Sequence, residues 1–200
     1  MTGAVTGADT DSETSAQRAR RARIITATLA LASRGGYEAV QMREVAERSE
    51  VALGTLYRYF PSKVHLLVSA MAFELETMRT RLQRKPIPGS TRRDRVAFVL
   101  ERSTSSLQRD PNLTEAMVRA MMAADGSVAD EVTAVRAQMA ELIIDAMRAD
   151  GHATQDDEAY AGILQDVWFA RQISWLGGRI SSADVWRDIE RALDLILRED

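Results

Sequence analysis

Residues 39–66 hold two short runs of apolar residues at helical spacing around a tight corner, and no other segment restricts the possible folds as strongly. The first run has an apolar stripe with charged residues on its other side; the stripe consists of Val40, Val45 and Ala46. Val51 is expected to fill the corner. The second run, residues 53–60, needs only Leu56 for a core, which leaves most of its side chains for a ligand. This is the outline of a helix-turn-helix unit that reads DNA.

The second short helix has the side chains expected of a recognition helix. Thr55, Tyr57, Arg58 and Tyr59 are expected to point outward, where hydroxyls and cations can reach phosphates. Gly54 and Thr55 at its start are small, so the backbone can approach the major groove.

The run GTLYRYFPSK at residues 54–63, preceded by MREVAERSEVA, closely resembles the DNA-binding segment of TetR-type transcriptional regulators. The resemblance implies that Arg43 and Thr55 face bases or adjacent phosphates, that Tyr57 and Tyr59 contact the DNA backbone, and that Lys63 meets a phosphate. With the helix entry at Gln41, the expected DNA-binding residues are Gln41, Arg43, Leu53, Gly54, Thr55, Tyr57, Arg58, Tyr59 and Lys63.

Three residues depart from the family pattern, and the first is Gln41, where the helix entry usually has Thr or Ser. The corner position that is commonly glycine is Glu50, and Ala52 replaces the hydroxyl residue that usually caps the recognition helix. Because a lost cap costs about 1 kcal/mol, these departures affect the rigidity of the unit before it meets DNA.

A longer resemblance covers EAVQMREVAERSEVALGTLYRYFPSKVHLLVSAM, RDPNLTEAMVRAMMAAD and ILQDVWFARQISWL, which are similar to the actinobacterial TetR-type repressors of sterol catabolism. It implies a repressor that leaves a palindromic operator when it binds a bulky apolar effector, such as a steroid acid or its CoA thioester. The alternative is a TetR-type regulator of efflux or of another pathway that responds to an unrelated hydrophobic compound.

Composition excludes several kinds of protein. With no cysteine, the chain has no disulfides and no thiolate metal sites, and its two histidines, His65 and His152, lie far apart in the sequence. No apolar run approaches the roughly 18 residues of a membrane span, and the N-terminus lacks the apolar segment of a signal peptide. We therefore expect no metal, no cofactor, no membrane partner and a cytoplasmic location.

Charge is unevenly distributed along the chain. Residues 1–15 contain three acids and no base, residues 16–65 contain nine Lys or Arg against four Glu, and residues 66–200 contain seventeen against twenty-two acids. A basic front on an acidic body suits a protein that binds nucleic acid at one end. Ordinary charge scatter is the alternative.

No stretch alternates with period two, so the pattern predicts an all-α fold of about nine helices. We expect a disordered tail at 1–15, a three-helix DNA-binding domain at 16–65 ending its first helix at Gly35–Gly36, and a ligand-binding and dimerisation domain at 66–200. Turn residues place the later helices near 63–84, 91–108, 112–124, 127–149, 155–177 and 182–198.

Methionine and aromatic residues recur along the predicted body helices. They suit an adaptable cavity for a bulky apolar ligand, although packing in the core is the alternative at each position. The expected ligand-binding residues are Met71, Phe73, Met78, Phe98, Met117, Met121, Met122, Met139, Met147, Trp168 and Trp175. If occupancy tilts the helix that links the two domains, the spacing of paired DNA-binding units changes.

The last two predicted helices carry more apolar surface than one layer can bury, which predicts a homodimer with a four-helix interface. The residues concerned are Ile163, Val167, Trp168, Ile173, Trp175, Leu176, Val185, Trp186, Ile189, Leu193, Ile196 and Leu197. A two-fold dimer predicts a palindromic operator. The alternative is a monomer in which these helices complete its own core.

An enzyme is not expected, because neither histidine has an evident nucleophile or carboxylate partner, and the acids 156–158 point different ways on a helix start. A helical protein-binding module that no longer uses its DNA-binding unit is the third possibility.

Overall fold

The computed structural model describes residues 15–198, which fold into nine α-helices and one 3-10 turn, Gly126–Val128, without any strand. The all-α prediction is confirmed, while the predicted tail lies outside the described residues except for Ser15, which begins the first helix. None of the helices within 15–198 is both long and apolar enough to cross a bilayer. The helices are α1 Ser15–Ala39, α2 Met42–Arg48, α3 Leu53–Tyr59, α4 Lys63–Leu82, α5 Arg92–Arg109, α6 Pro111–Ala123, α7 Ala129–Met147, α8 Asp157–Leu176 and α9 Ser182–Ile196.

The helix boundaries follow local chemistry. The Ser62 side chain caps α4, and Thr91 and Ser181 form reciprocal capping boxes with Asp94 and Asp184 at the starts of α5 and α9. In α1 the regular helix is interrupted at Gly36, whose φ of 67° is left-handed, close to the predicted end at Gly35–Gly36. These are signals that a short stretch of sequence carries by itself.

The buried apolar side chains form one continuous core from α1 to the end of α9. Helix α1 packs along α6, and α4 contacts α1, α6 and α7. The predicted domain boundary at residue 65 falls in the first turn of α4, so this 20-residue helix belongs to both parts. We call α1 to α3 the head and the rest of the described chain the body.

An ionic cluster joins three helices of the body. Asp157 at the start of α8 is fully buried, and Arg92 of α5 and Arg148 after α7 donate to its two carboxylate oxygens. Burial raises the pKa of Asp157, but hydrogen bonds from Thr154 and Arg148 and the charge of Arg92 outweigh it and hold that pKa well below its usual range. The carboxylate therefore stays ionised inside the protein.

Candidate DNA-binding surface and effector cavity

A few fully buried side chains hold α2 and α3 against the rest of the protein. Leu56 is the only buried residue of α3, as the sequence predicted, and Phe60 just after it is also buried. Val40 lies before α2 and not in it, but it is fully buried. The guanidinium of Arg21 in α1 lies 5.5 Å from the centre of the Phe60 ring, so part of the basic start of α1 supports α3.

The corner between α2 and α3 is tight and strained. Glu50 has a φ of 55°, in the left-handed region that glycine adopts without cost. The Val51 N–H donates to the Ala46 carbonyl at 3.0 Å, and Arg23 Nε of α1 donates to the Ser49 carbonyl at 3.4 Å. The family pattern has glycine at this corner position, and the left-handed backbone favours glycine there, but this chain has a glutamate.

The outer face of α3 is only partly as expected. Tyr57 is 47% exposed, and Arg58 and Gly54 are exposed. Thr55 is half-buried, and Tyr59 is half-buried and packs against the core, so neither is as exposed as the sequence predicted. The centres of the Tyr59 and Phe60 rings lie 6.4 Å apart.

Gly54 has open space where a Cβ atom would lie, with no atom of the protein within 4 Å. The protein itself therefore has no packing reason for a glycine here. A helix start without a side chain is what close approach of the backbone to another molecule requires.

The remaining expected DNA-binding residues border this face. Gln41 and Arg43 are exposed at the start of α2, and Leu53 is half-buried against the core. Neither Gln41 nor Ala52 makes a side-chain cap bond, so both short helices begin with backbone N–H groups that no capping side chain satisfies.

Lys63 lies at the junction of head and body. Its ammonium is 3.9 Å from the centre of the Tyr37 ring, and the guanidinium of Arg119 in α6 is 4.4 Å from the same ring. Burial lowers the pKa of Lys63, with Glu38 opposing and Arg119 reinforcing the shift. The phosphate contact that the family pattern implies for Lys63 stays a prediction.

Glu115 of α6 anchors the same junction. Its Oε2 accepts from the Tyr37 N–H at 2.8 Å, and its Oε1 accepts from Arg119, which also donates to Glu38. A Cβ atom on Gly36 would lie 2.6 Å from Glu115 Oε2, so the left-handed glycine makes room for this carboxylate. Sequence reasoning missed these contacts, because Tyr37 and Glu115 are 78 residues apart.

A second contact crosses the start of α4. His65 is buried, its Nε2 lies 3.0 Å from the Ser127 carbonyl, and its Nδ1 lies 2.9 Å from Ser62 Oγ. Because a carbonyl only accepts, Nε2 donates, and in the neutral ring Nδ1 accepts the hydroxyl proton of Ser62. This histidine ties the head end of α4 to the turn before α7.

A cavity of the body lies between α4, α5, α6 and α8 and has a volume of about 160 Å³. We call it the outer chamber. Its apolar wall consists of Met71, Leu75, Met78, Leu107, Leu113, Met117 and Trp168. Three arginines, Arg81, Arg102 and Arg109, also line it, and all three are exposed. Glu74 and Asp110 line it as well, so the site is apolar inside and carries charges of both signs, with arginines in excess, where it meets solvent.

A smaller cavity of about 40 Å³, the inner chamber, lies between α4, α6, α7 and α8. Met121, Met139, Gln165 and Phe169 line it, and it shares Met71, Leu75 and Trp168 with the outer chamber.

Only some of the predicted ligand-binding residues line the two chambers. Met71, Met78, Met117, Met121, Met139 and Trp168 line one or both. The structure places the other five elsewhere. Met147 is fully buried in the core, Met122 is 66% exposed, and Phe73, Phe98 and Trp175 line neither chamber. A helical repeat of large side chains does not reveal which face meets a cavity and which meets the core or solvent.

The outer faces of α8 and α9 leave an apolar strip exposed. Ile163 is 52% and Leu195 is 69% exposed, and a groove beside Leu195 contains Val167 and Ala192 with charged residues along its sides. Part of the predicted dimer surface is instead inside the protomer, namely Trp168, Val185, Ile189, Leu193 and Leu197. Those residues complete the body's own core, as the monomer alternative anticipated for them.

No cluster of three or more potential metal-ligating side chains occurs within residues 15–198.

Comparison with families and with known proteins covers both parts of the chain. The family of bacterial regulatory proteins named after TetR matches residues 24–70, and the C-terminal domain described as tetracyclin repressor-like matches residues 89–196. The chain is 50% identical over 194 residues to the HTH-type transcriptional repressor KstR of Rhodococcus jostii strain RHA1, covering 97% of this chain and 90% of that protein.

Solved structures share the fold. A TetR transcriptional regulator from Rhodococcus sp. RHA1 superposes with a TM-score of 0.83 at 37% identity, covering 91% of this chain and 97% of that one. Thermus thermophilus FadR, a TetR family repressor solved with lauroyl-CoA, superposes with a TM-score of 0.71 at 23% identity, covering 90% of this chain and 97% of that one.

Proposed function

Because the chain belongs to the TetR family of bacterial regulatory proteins, we propose that it represses transcription by binding an operator with α3 and leaves that DNA when an effector fills the body. The observation that carries the proposal is the position of α6. Leu113, Thr114 and Met117 line the outer chamber, while Glu115 and Arg119 contact the head. A displacement of this one helix by a ligand acts on the head directly.

The head supplies the DNA contacts. Tyr57 and Arg58 project from α3, Gln41 and Arg43 lie at the start of α2, and Gly54 leaves the helix start open for a phosphate or a base edge. These groups combine a hydroxyl, cations and uncapped N–H donors on two short helices. Lys63 at the start of α4 supplies a further cation for a phosphate.

The exposed strip on α8 and α9 favours a homodimer. Ile163, Val167 and Leu195 supply apolar surface, and Arg171 and Asp188 beside them pair with each other at 3.1 Å. A two-fold interface places the same patch on both partners, which would bring two copies of α3 to successive major grooves. The operator is then a palindrome.

The outer chamber fits an amphipathic effector with an apolar body and an anionic end. Methionine walls adapt to a bulky apolar group, and the rim arginines suit phosphates. A CoA thioester combines these two features, and the shared fold holds one in Thermus thermophilus FadR. The resemblance to repressors of sterol catabolism favours a steroid acid as the acyl group.

Selection of bound duplexes from a randomised DNA library tests the head. A palindrome should be enriched, and G54A should weaken its binding at least tenfold, because a methyl group fills the space that the DNA backbone approaches. G126A is the matched control, since Gly126 is also exposed with open space around it. If a folded dimeric sample enriches no sequence, or if both variants bind equally well, the assignment of α3 is wrong.

A further inference from the structure

Trp168 stands between the two chambers. Its side chain is 4% exposed and lines both, together with Met71 and Leu75 of α4. The three side chains are therefore the wall between the outer and the inner chamber. Two of the three, a methionine and a leucine, are flexible aliphatic groups, so the indole is the rigid part of this wall.

Neither chamber is large enough for the proposed effector. Their volumes are about 160 Å³ and about 40 Å³, whereas cavities that enclose drug-sized ligands have volumes of about 300–1,000 Å³. A steroid nucleus therefore requires more space than the outer chamber has. The adjoining free volume is the inner chamber, and the wall that includes Trp168 separates it from the outer one.

A single hydrogen bond fixes the orientation of the indole. Trp168 Nε1–H donates to Thr104 Oγ1 of α5 at 2.9 Å, and both residues are buried. Helices α5 and α8 run in the same direction here, because Arg92 meets Asp157 at their starts and Thr104 meets Trp168 further along. An indole that turns away from Thr104 must find another acceptor, because an unpaired buried N–H is costly.

Such an acceptor lies one helical turn away. Gln172 follows Trp168 by four residues, so the two side chains are neighbours on the same face of α8. Gln172 is fully buried, and neither its carbonyl oxygen nor its amide nitrogen has a hydrogen-bond partner among residues 15–198. Its carbonyl can accept the indole N–H in a second orientation.

We propose that Trp168 is a movable partition that determines which effectors fit, an inference that rests on the proposed effector-binding function. With the indole on Thr104 the chambers are separate, and only short acyl groups fit. With the indole on Gln172 they merge, and the space that the indole leaves adds to their combined volume of about 200 Å³, which makes one cavity for a steroid nucleus. A bulky effector selects the second orientation, and the free protein holds the first.

The test compares two CoA thioesters, lithocholoyl-CoA and butyryl-CoA, by calorimetric titration of the full-length protein. T104V removes the acceptor of the first orientation, so lithocholoyl-CoA should bind about two- to tenfold tighter while butyryl-CoA is unchanged. Q172L removes the second acceptor and should weaken only lithocholoyl-CoA.

The matched control is T28V. Thr28 is a buried threonine of α1 that lines neither chamber, and its hydroxyl donates to the Ile24 carbonyl and not to Trp168. T28V should leave the ratio of the two affinities as it is in the wild type. If T104V also leaves this ratio unchanged while lithocholoyl-CoA binds, the proposal of a movable partition is wrong and the proposed function stands. If lithocholoyl-CoA binds no variant, the proposed effector class is wrong, and the partition falls with it.

A spectroscopic readout follows Trp168 itself. In W175F/W186F, Trp168 is the only tryptophan left, since the chain has three. Its emission should shift when lithocholoyl-CoA binds and stay constant with butyryl-CoA. An emission that stays constant with bound lithocholoyl-CoA would show that the indole does not turn, which overturns the proposal.

Discussion

At the scale of single residues, the head combines a strained backbone with an open surface. Glu50 occupies a left-handed conformation that disfavours every residue with a Cβ atom, and Ala52 starts α3 without a cap. Both lie within three residues of the surface that we assign to DNA. Part of what destabilises the head therefore lies next to the surface that must adapt to a ligand.

Replacing Glu50 with glycine should relieve this strain. We expect E50G to raise the free energy of unfolding by about 0.5–1 kcal/mol, because the gain in the folded state exceeds the added entropy of the unfolded chain. Urea unfolding followed by circular dichroism measures the change. E50A is the control, since it removes the same carboxylate but keeps the Cβ atom. Equal stabilities of the two variants would mean that the charge, and not the backbone, sets the cost.

At the scale of helices, local sequence signals were sufficient for most of the fold. Apolar spacing and the residues Ser62, Pro111 and Ser181 located the helices to within a few positions, because caps and periodicity depend on near neighbours. The chambers could be predicted only in part. Whether Met117 lines a cavity and Met122 meets solvent depends on which helices pack against α6, and no nearby residue encodes that.

Helix α6 lies between the outer chamber and the head, so its contacts with the head should transmit the effector signal. We expect E115A to bind operator DNA within threefold of the wild type but to need about tenfold more effector for release, because it loses the charged acceptor of the Tyr37 N–H. Gel shifts with increasing lithocholoyl-CoA measure both quantities.

The control for this variant is E101A, an exposed glutamate of α5 outside the junction. Should E115A release DNA at the same effector concentration as E101A, the signal would have to travel through α4 instead.

At the scale of the whole molecule, the buried carboxylate of Asp157 links α5, α7 and α8 into one body. Its pKa is lower in the folded protein than in the unfolded chain, so its stabilisation is complete above the unfolded value, near pH 4, and is lost as the pH falls below it. Asp150 adds to this trend, since the N–H of His152 and then Arg95 lower the pKa of its carboxyl to about 2.

We therefore expect D157N to lower the free energy of unfolding at pH 7 by about 3 kcal/mol, because two arginines lose their buried partner. The loss of stability between pH 4 and pH 2 should also be shallower than in the wild type. Chemical denaturation across this range measures both effects. D156N changes the exposed neighbouring residue and should match the wild type at pH 7. A D157N protein as stable as D156N would rule out the ionic cluster as a support of the body.

The exposed residues of α3 contribute little to the core. Substitutions at Tyr57, Arg58 or Gly54 can therefore accumulate in a lineage without loosening the protein, whereas changes around Trp168 disturb packing at once. Target genes can be exchanged quickly during evolution while the chemical cue that is sensed stays the same. Descendants of a common ancestor should accordingly share an inducer more often than a promoter sequence.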